Sequence, residues 1–469
     1  MSFRTMGGGV EMTINVSNEI YIRGYDDNIL EWCRQNLIIS NPDYIKKQRM
    51  GKWLGNTPKH LYMYRIDGDT LIIPHGRLND IISMYGERCI RYDYPSFRKV
   101  DYGNSVPLYD YQQKAVEALA QERGGVLQSK AGSGKTQMGL ALIATLGYKA
   151  LWLTHTKDLL KQSEERAAQY FDRSLFGEIT EGKVNIGKGI TFATVQTLAK
   201  QDLNRYRDSF DCIIVDECHR VAGTPTAATQ FGKVIGSLNA TFKYGLSATV
   251  HRADGLIIEM FSYLGNIAYT VPDDAVADKV MDVWVNRRDT GVHIAPECLD
   301  TDGTLLYTNL ISYLASNTRR NFLIANDLAQ NADHYNLILS DRISHLQYLM
   351  SLLPADMCVM VDGKMTGKKG KAAREKALED MRSGKKRYLF ATYKLAKEGL
   401  DIPRLDRLYL ATPQKDYAII VQSVGRIART FEGKATPVCY DYVDSIEYLV
   451  KSYKKRCTHY RKSGCHLMA

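Results

Sequence analysis

The chain has 469 residues, too many for one ordinary hydrophobic core, so two or three domains are expected. With 45% hydrophobic and 24% charged residues it has the composition of a soluble globular protein, and no apolar run reaches the length of a membrane span. The net charge of +10 favours an anionic partner, and nine scattered cysteines without a CxxC pair suit reduced thiols in a cytoplasm.

The first element is a glycine run, Gly7-Gly8-Gly9, expected as a flexible leader without a signal-peptide pattern. Residues 1–105 are rich in tyrosine and carry turn signals at Asn41-Pro42, Asn56-Thr57-Pro58 and Asp67-Gly68. Ile29–Leu37 predicts a short helix, and Leu61–Tyr64 with Thr70–Ile73 predict a hairpin. This stretch is expected as a small α+β accessory domain. From Leu108 to about Thr270 apolar strands alternate with helical stretches: Ala150–Thr154, Ile190–Ala193, Cys212–Val215 and Tyr244–Ser247. That alternation predicts an α/β domain with a parallel sheet covered on both faces over 106–270.

A less regular stretch, 271–316, is expected to join this domain to a second alternating block over 317–450. Its predicted strands are Tyr335–Leu339, Cys358–Val361, Tyr388–Ala391, Arg407–Ala411 and Thr436–Tyr440. Two basic runs accompany it. Lys364 to Arg387 holds ten Lys or Arg against three acids, and the stretch 451–469 is read as an exposed basic tail. Cys457, His459, Cys465 and His466 imitate a metal site, but their spacing lacks the tight pairing of zinc sites.

Ser129-Lys130-Ala131-Gly132-Ser133-Gly134-Lys135-Thr136 follows a short apolar run and precedes a helical stretch, Gln137–Leu146. Strand, glycine loop and helix make a phosphate cradle: backbone N–H groups converge and the helix N-terminus adds its dipole. Lys135 can reach the β- and γ-phosphates, and the Thr136 hydroxyl can ligate magnesium. Asp216 and Glu217 end a second apolar strand, placing one carboxylate for the metal and one to polarise a water. In the second block, Arg426 and Arg429 lie three apart on a predicted helix face, where they can act as arginine fingers.

With these motifs in this order, the chain resembles a superfamily 2 helicase from Leu108 to Arg429, which implies two tandem RecA-like domains. The resemblance places Gln112 on adenine and makes Gly132, Ser133, Gly134, Lys135 and Thr136 the nucleotide loop. It places Thr154-His155-Thr156-Lys157, together with Thr194 and Gln196, against the backbone of one nucleic-acid strand. It makes Asp216-Glu217-Cys218-His219 the hydrolytic motif, with His219 coupled to Gln422. Ser247, Thr249 and Arg252 then link hydrolysis to strand grip. In the second block, Ser340, Arg342, Thr392 and Lys394 become strand contacts, while Gly399 and Asp401 approach the nucleotide. Gln422, Arg426 and Arg429 complete the hydrolytic site.

The Ser-Ala-Thr-x-x-Arg-x-Asp-Gly pattern from Ser247 to Gly255 resembles the subgroup of XPB-type repair helicases, restriction translocases and phage recombination helicases. Ile39–Tyr44 and Leu71–Gly76 resemble the N-terminal blocks of T4-like and T5-like phage helicases, which remodel forks, Holliday junctions and displacement loops. The resemblance implies ATP and Mg2+ as cofactors. It also implies DNA as partner, with a single strand in the core cleft and duplex or junction at residues 1–105, and no membrane. A monomer acting in the host cytoplasm, in phage replication, recombination and repair, is the expected form. The alternatives are an XPB-like or double-strand translocase and an annealing factor that uses ATP only as a switch.

Overall fold

The computed structural model describes residues 12–95, 99–103, 105–130, 132–220, 225–248, 257–272, 274–275, 280–363, 365, 367–397, 400 and 402–468. The chain divides into two compact units, Met1–Ser129 with Gly134–Pro272, and Asp273–Ala469, to which the loop tip Lys130–Ser133 is also assigned.

The first unit holds a mixed five-stranded sheet and an eight-stranded sheet. The larger sheet runs in the order Val184–Asn185, Phe176–Ile179, Ile190–Thr194, Ala150–Thr154, Cys212–Asp216, Phe242–Ser247, Gly124–Gln128, Ile267–Thr270. All of its pairings are parallel except that of the short Val184–Asn185 edge. Cys212–Asp216 and Ala150–Thr154 are buried at every residue, as strands covered on both faces must be. Parallel pairing has one consequence for function: the loops that follow these strands all leave the sheet at one edge, where open α/β sheets bind ligands.

The smaller sheet belongs to residues 12–95. Ile14, Val16, Ile20, Ile22, Leu71 and Ile73 alternate inward onto the helix Asp27–Asn36, which matches the predicted Ile29–Leu37 helix. The predicted hairpin forms with a different first strand. Arg65–Asp67 pairs with Thr70–Pro74, whereas His60–Tyr62 pairs with Ile38–Ser40. This small domain is interlocked with the larger sheet. Gly76 packs so closely on the helix Ile257–Leu264 that an added Cβ would lie 2.4 Å from the Gly265 nitrogen and 2.7 Å from the Phe261 oxygen. Lys243, fully buried, donates from Nζ to the Asn18 carbonyl at 2.8 Å and the Ile235 carbonyl at 3.3 Å. Burial pushes its pKa down to about 7, with the Glu19 carboxylate opposing that shift.

The second unit is a seven-stranded parallel sheet in the order Cys358–Val361, Tyr388–Thr392, Asn336–Ser340, Arg407–Leu410, Val438–Val443, Trp284–Asp289, His466–Leu467. All five predicted strands of this block are present. Two expectations change. The connecting segment 271–316 supplies the strand Trp284–Asp289 and the helix Tyr307–Ser316 to this unit. The expected basic tail is the helix Glu447–Lys462 followed by an edge strand. That helix is built in because Arg456 is buried, paired with Asp441 at 2.8 Å.

Candidate nucleotide and strand-contact sites

The nucleotide loop leaves Gly124–Gln128 and enters the helix Lys135–Leu146. Gly132 and Gly134 adopt left-handed backbone, at φ +88 and +83, which is unstrained only for glycine. A Cβ on Gly134 would sit 2.4 Å from Gln112 Nε2, so the bare Cα is what admits the glutamine beside the loop. Gln112 is itself held, its Oε1 accepting from the Tyr109 backbone N–H at 3.0 Å. At the start of the helix Lys135 is buried; its Nζ donates to the Ser129 carbonyl at 3.4 Å and lies 3.8 Å from Glu217 Oε1.

The neighbouring strand end carries the carboxylates. Asp216 closes Cys212–Asp216, and its Oδ2 accepts from Thr136 Oγ1 and from Ser163 Oγ, each at 3.5 Å. Ser163 was not expected at this site; it lies two turns into the helix Lys157–Ala167, with no motif to mark it. Glu217 alone among described non-glycine residues has a positive φ, +50, and its N–H donates to Asp216 Oδ1 at 3.0 Å. The strained turn lets two consecutive carboxylates face the same loop. His219 extends the site, 3.4 Å from Glu217 Oε2 and 2.8 Å from Ser247 Oγ. Through that serine the hydrolytic strand end is joined to the next strand end. Cys218 is no nucleophile here: burial, then the Glu217 and Asp216 carboxylates, hold its thiol well above the ordinary range.

The residues fit a nucleoside triphosphate with a small divalent ion. Among the described residues no cluster of three or more His, Cys, Asp or Glu side chains is suited to a metal. Thr136 and Asp216 together suit magnesium, which keeps waters and phosphate oxygens as most of its ligands.

Along the same sheet edge, His155 and Gln196 meet at 2.7 Å between Nδ1 and Nε2, bringing two expected strand-contact segments together. Thr156 caps the helix Lys157–Ala167, accepting from the Leu159 N–H at 3.3 Å, and Lys157 is exposed at its start. Thr154 and Thr194 are buried, and their hydroxyls serve the fold. Thr154 donates to the Thr156 carbonyl, and Thr194 accepts from the Thr197 N–H. Thr249 and Arg252, like Gly399 and Asp401 of the second block, lie outside the described residues.

In the second unit Ser340 is buried, its Oγ 3.0 Å from His345 Nδ1, and it accepts from the Arg342 N–H at 3.1 Å. Thr392 ends Tyr388–Thr392, and Lys394 is exposed just beyond it. Gln422 and Arg426 share the helix Tyr417–Ile427, with Arg426 donating to the Leu400 carbonyl at 3.2 Å. Arg429 lies past that helix rather than on its face, because pairing with Val280 draws the backbone into an extended bridge.

A glycine-built phosphate loop, adjacent Asp-Glu carboxylates and two parallel α/β sheets define a nucleoside-triphosphate hydrolase with tandem RecA-like domains. Residues 105–252 match the family described as "Type III restriction enzyme, res subunit", and 318–431 match "Helicase conserved C-terminal domain". Similar over nearly the whole length is helicase D10 of Escherichia phage T5, 25% identical over 97% of this chain and 95% of that protein. L396 of Acanthamoeba polyphaga mimivirus, named as an ATP-dependent RNA helicase, is 26% identical over 86% and 78%. The ATP-dependent DNA helicase uvsW of Enterobacteria phage T4 is 24% identical over 74% and 71%. The chain belongs to the superfamily 2 helicases and is an ATP-dependent helicase.

Proposed function

We propose that this helicase acts on DNA and remodels branched substrates (forks, Holliday junctions and displacement loops) in phage replication, recombination and repair. The observation that carries the reading is the shared sheet edge in the first unit: Lys135, Thr136, Asp216, Glu217 and His219 stand at strand ends beside His155, Thr156, Lys157 and Gln196. In this reading hydrolysis and strand grip communicate along that edge, and Ser247, bonded to His219, takes the coupling role that the family resemblance gives it. The T4 relative named as a DNA helicase favours DNA, and the likeness to the T5 protein over nearly its whole length favours a role for residues 12–95.

In this reading Lys135 binds the phosphates, Glu217 orients and deprotonates the attacking water, and His219 reports the state of the site to Ser247. Magnesium, held through Thr136 and Asp216, would neutralise phosphate charge. Gln422, Arg426 and Arg429 of the second unit take the hydrolytic roles that the family resemblance gives them. The test is a substrate panel of fork, four-way junction, displacement loop, simple overhangs and the matching RNA duplexes. Activity on simple overhangs alone, or preference for RNA, would sink the branched-DNA reading. A second reading, double-strand translocation, is favoured by the match to the restriction-enzyme family. It predicts ATPase stimulation by branchless duplex without strand separation.

A further inference from the structure

The small domain carries a feature that the helicase motifs do not use. Trp53 is 89% exposed, whereas Trp152 is fully buried. Leaving an indole in water forgoes a burial contribution of about 2–3 kcal/mol, so its position asks for a partner. The loop that presents it is ordered by its own bonds. Lys52 N–H donates to the Lys47 carbonyl at 2.9 Å, Thr57 N–H to the Leu54 carbonyl at 3.0 Å, and Lys47 Nζ to Thr57 Oγ1 at 2.6 Å. The buried Asn41 pins the far end, donating from its side chain to the Pro58 carbonyl at 2.9 Å and from its backbone to Lys59 at 3.0 Å. Gly55 is left-handed at φ +51, and a Cβ there would lie 3.0 Å from the Trp53 ring, so the indole leans on a bare Cα.

Charge identifies the partner class. From Asn41 to His60 the chain has Lys46, Lys47, Arg49, Lys52 and Lys59 against the single acid Asp43. Among the described residues none of these five cations is in an ion pair. A flat, presented aromatic ring amid unneutralised cations matches a nucleic acid with an accessible base face, the ring stacking while the cations hold phosphate. The strands at the base of the loop are fixed to the motor: Ile39 packs with Leu61, Met63 and Ile258, on the helix that follows the Ser247 strand.

We infer that the loop 50–59 is a branch-point contact, with Trp53 stacking on the exposed base where duplex and single strands part. The inference rests on the DNA-remodelling reading, and two measurements separate them. Fork binding by the full chain without nucleotide, using 2-aminopurine at the branch, tests the loop; single-strand-stimulated ATPase tests the helicase reading. Trp53→Ala should weaken fork binding about 5- to 150-fold and abolish the stacking-dependent quenching, with stimulated ATPase intact. Trp53→Phe should restore most of both. Fork affinity within twofold of wild type in Trp53→Ala, with ATPase intact, overturns the loop inference alone. Absence of strand-stimulated ATPase in the wild-type protein overturns the underlying reading and the inference with it.

Discussion

In the first unit, one set of buried charged side chains gathers where parallel strands end, while Lys243 and Glu259 are buried apart from it. Lys135, Asp216 and His219 lie 2.8 to 3.8 Å from Glu217 or Ser247. The second unit pairs several of its charges in the interior. Arg320 and Asp444, both fully buried, meet at 2.9 Å, with Thr290 adding a 2.6 Å bond to the same carboxylate. Arg456 binds Asp441 at 2.8 Å through two nitrogens, and Tyr460 donates to that carboxylate at 2.7 Å. Arg288 and Asp327 repeat the arrangement with Tyr442. Two sheets of the same architecture thus use charge differently: one gathers part of it at its strand ends, the other pairs it between the strands and helices of the frame.

The largest expected effect breaks the first half of that contrast. Glu217→Gln should lower ATP hydrolysis by about 100-fold or more while ATP binding and thermal stability stay near wild type. Phosphate release, nucleotide binding and a melting curve check it together, and a large stability loss would show the strained turn to be structural. The converse test is Arg456→Met, which leaves Asp441 buried with only the tyrosine. It should cost about 3–5 kcal/mol in denaturant unfolding, most of it recovered when Asp441→Leu is added. Hydrolysis by the folded fraction should be unchanged.

Gly76→Ala sharpens the account of the first unit, since its methyl group meets backbone rather than a movable side chain. A loss of about 1–3 kcal/mol is expected in urea unfolding. Glu259 gives the smallest effect. Burial raises its carboxyl from 4.5 to about 7, so the folded state holds a proton that the unfolded chain releases. That contribution is complete below pH 4.5 and is lost as pH rises toward 7. Glu259→Gln should flatten this slope between pH 4.5 and 8 relative to wild type.

Legibility in the sequence followed burial. Ala150–Thr154 and Cys358–Val361 are continuous apolar runs, and the predicted bounds coincide with the strands. Arg65–Asp67 is exposed at all three residues, so no apolar pattern announced it, and the hairpin was assigned to the more apolar Leu61–Tyr64. Trp284–Asp289 carries Arg287, Arg288 and Asp289, which read as a linker until their partners are seen. Arg456 misled in the same way, because density of charge reads as surface and a buried counter-ion is silent in one dimension. At the site, the loop and strand-end pattern marked Lys135, Thr136, Asp216 and Glu217, the family resemblance marked His219, and the structure brings the five together. Ser163 and Trp53 were not: one depends on helix packing, the other on an exposure that residue type does not encode.

The close fit at Gly76 has a practical meaning for anyone cutting or recombining this chain. Removing residues 1–105 would uncover the helix Ile257–Leu264, strip Lys243 of its Asn18 acceptor and leave Arg77's partners Ser262 and Asn266 without a donor. The sequence offers a boundary near residue 105, and the segments on either side of it belong to one compact unit. A chimera that exchanges the small domain between relatives should therefore carry residues 12–95 together with 225–270, so that both faces of the joint arrive from the same parent.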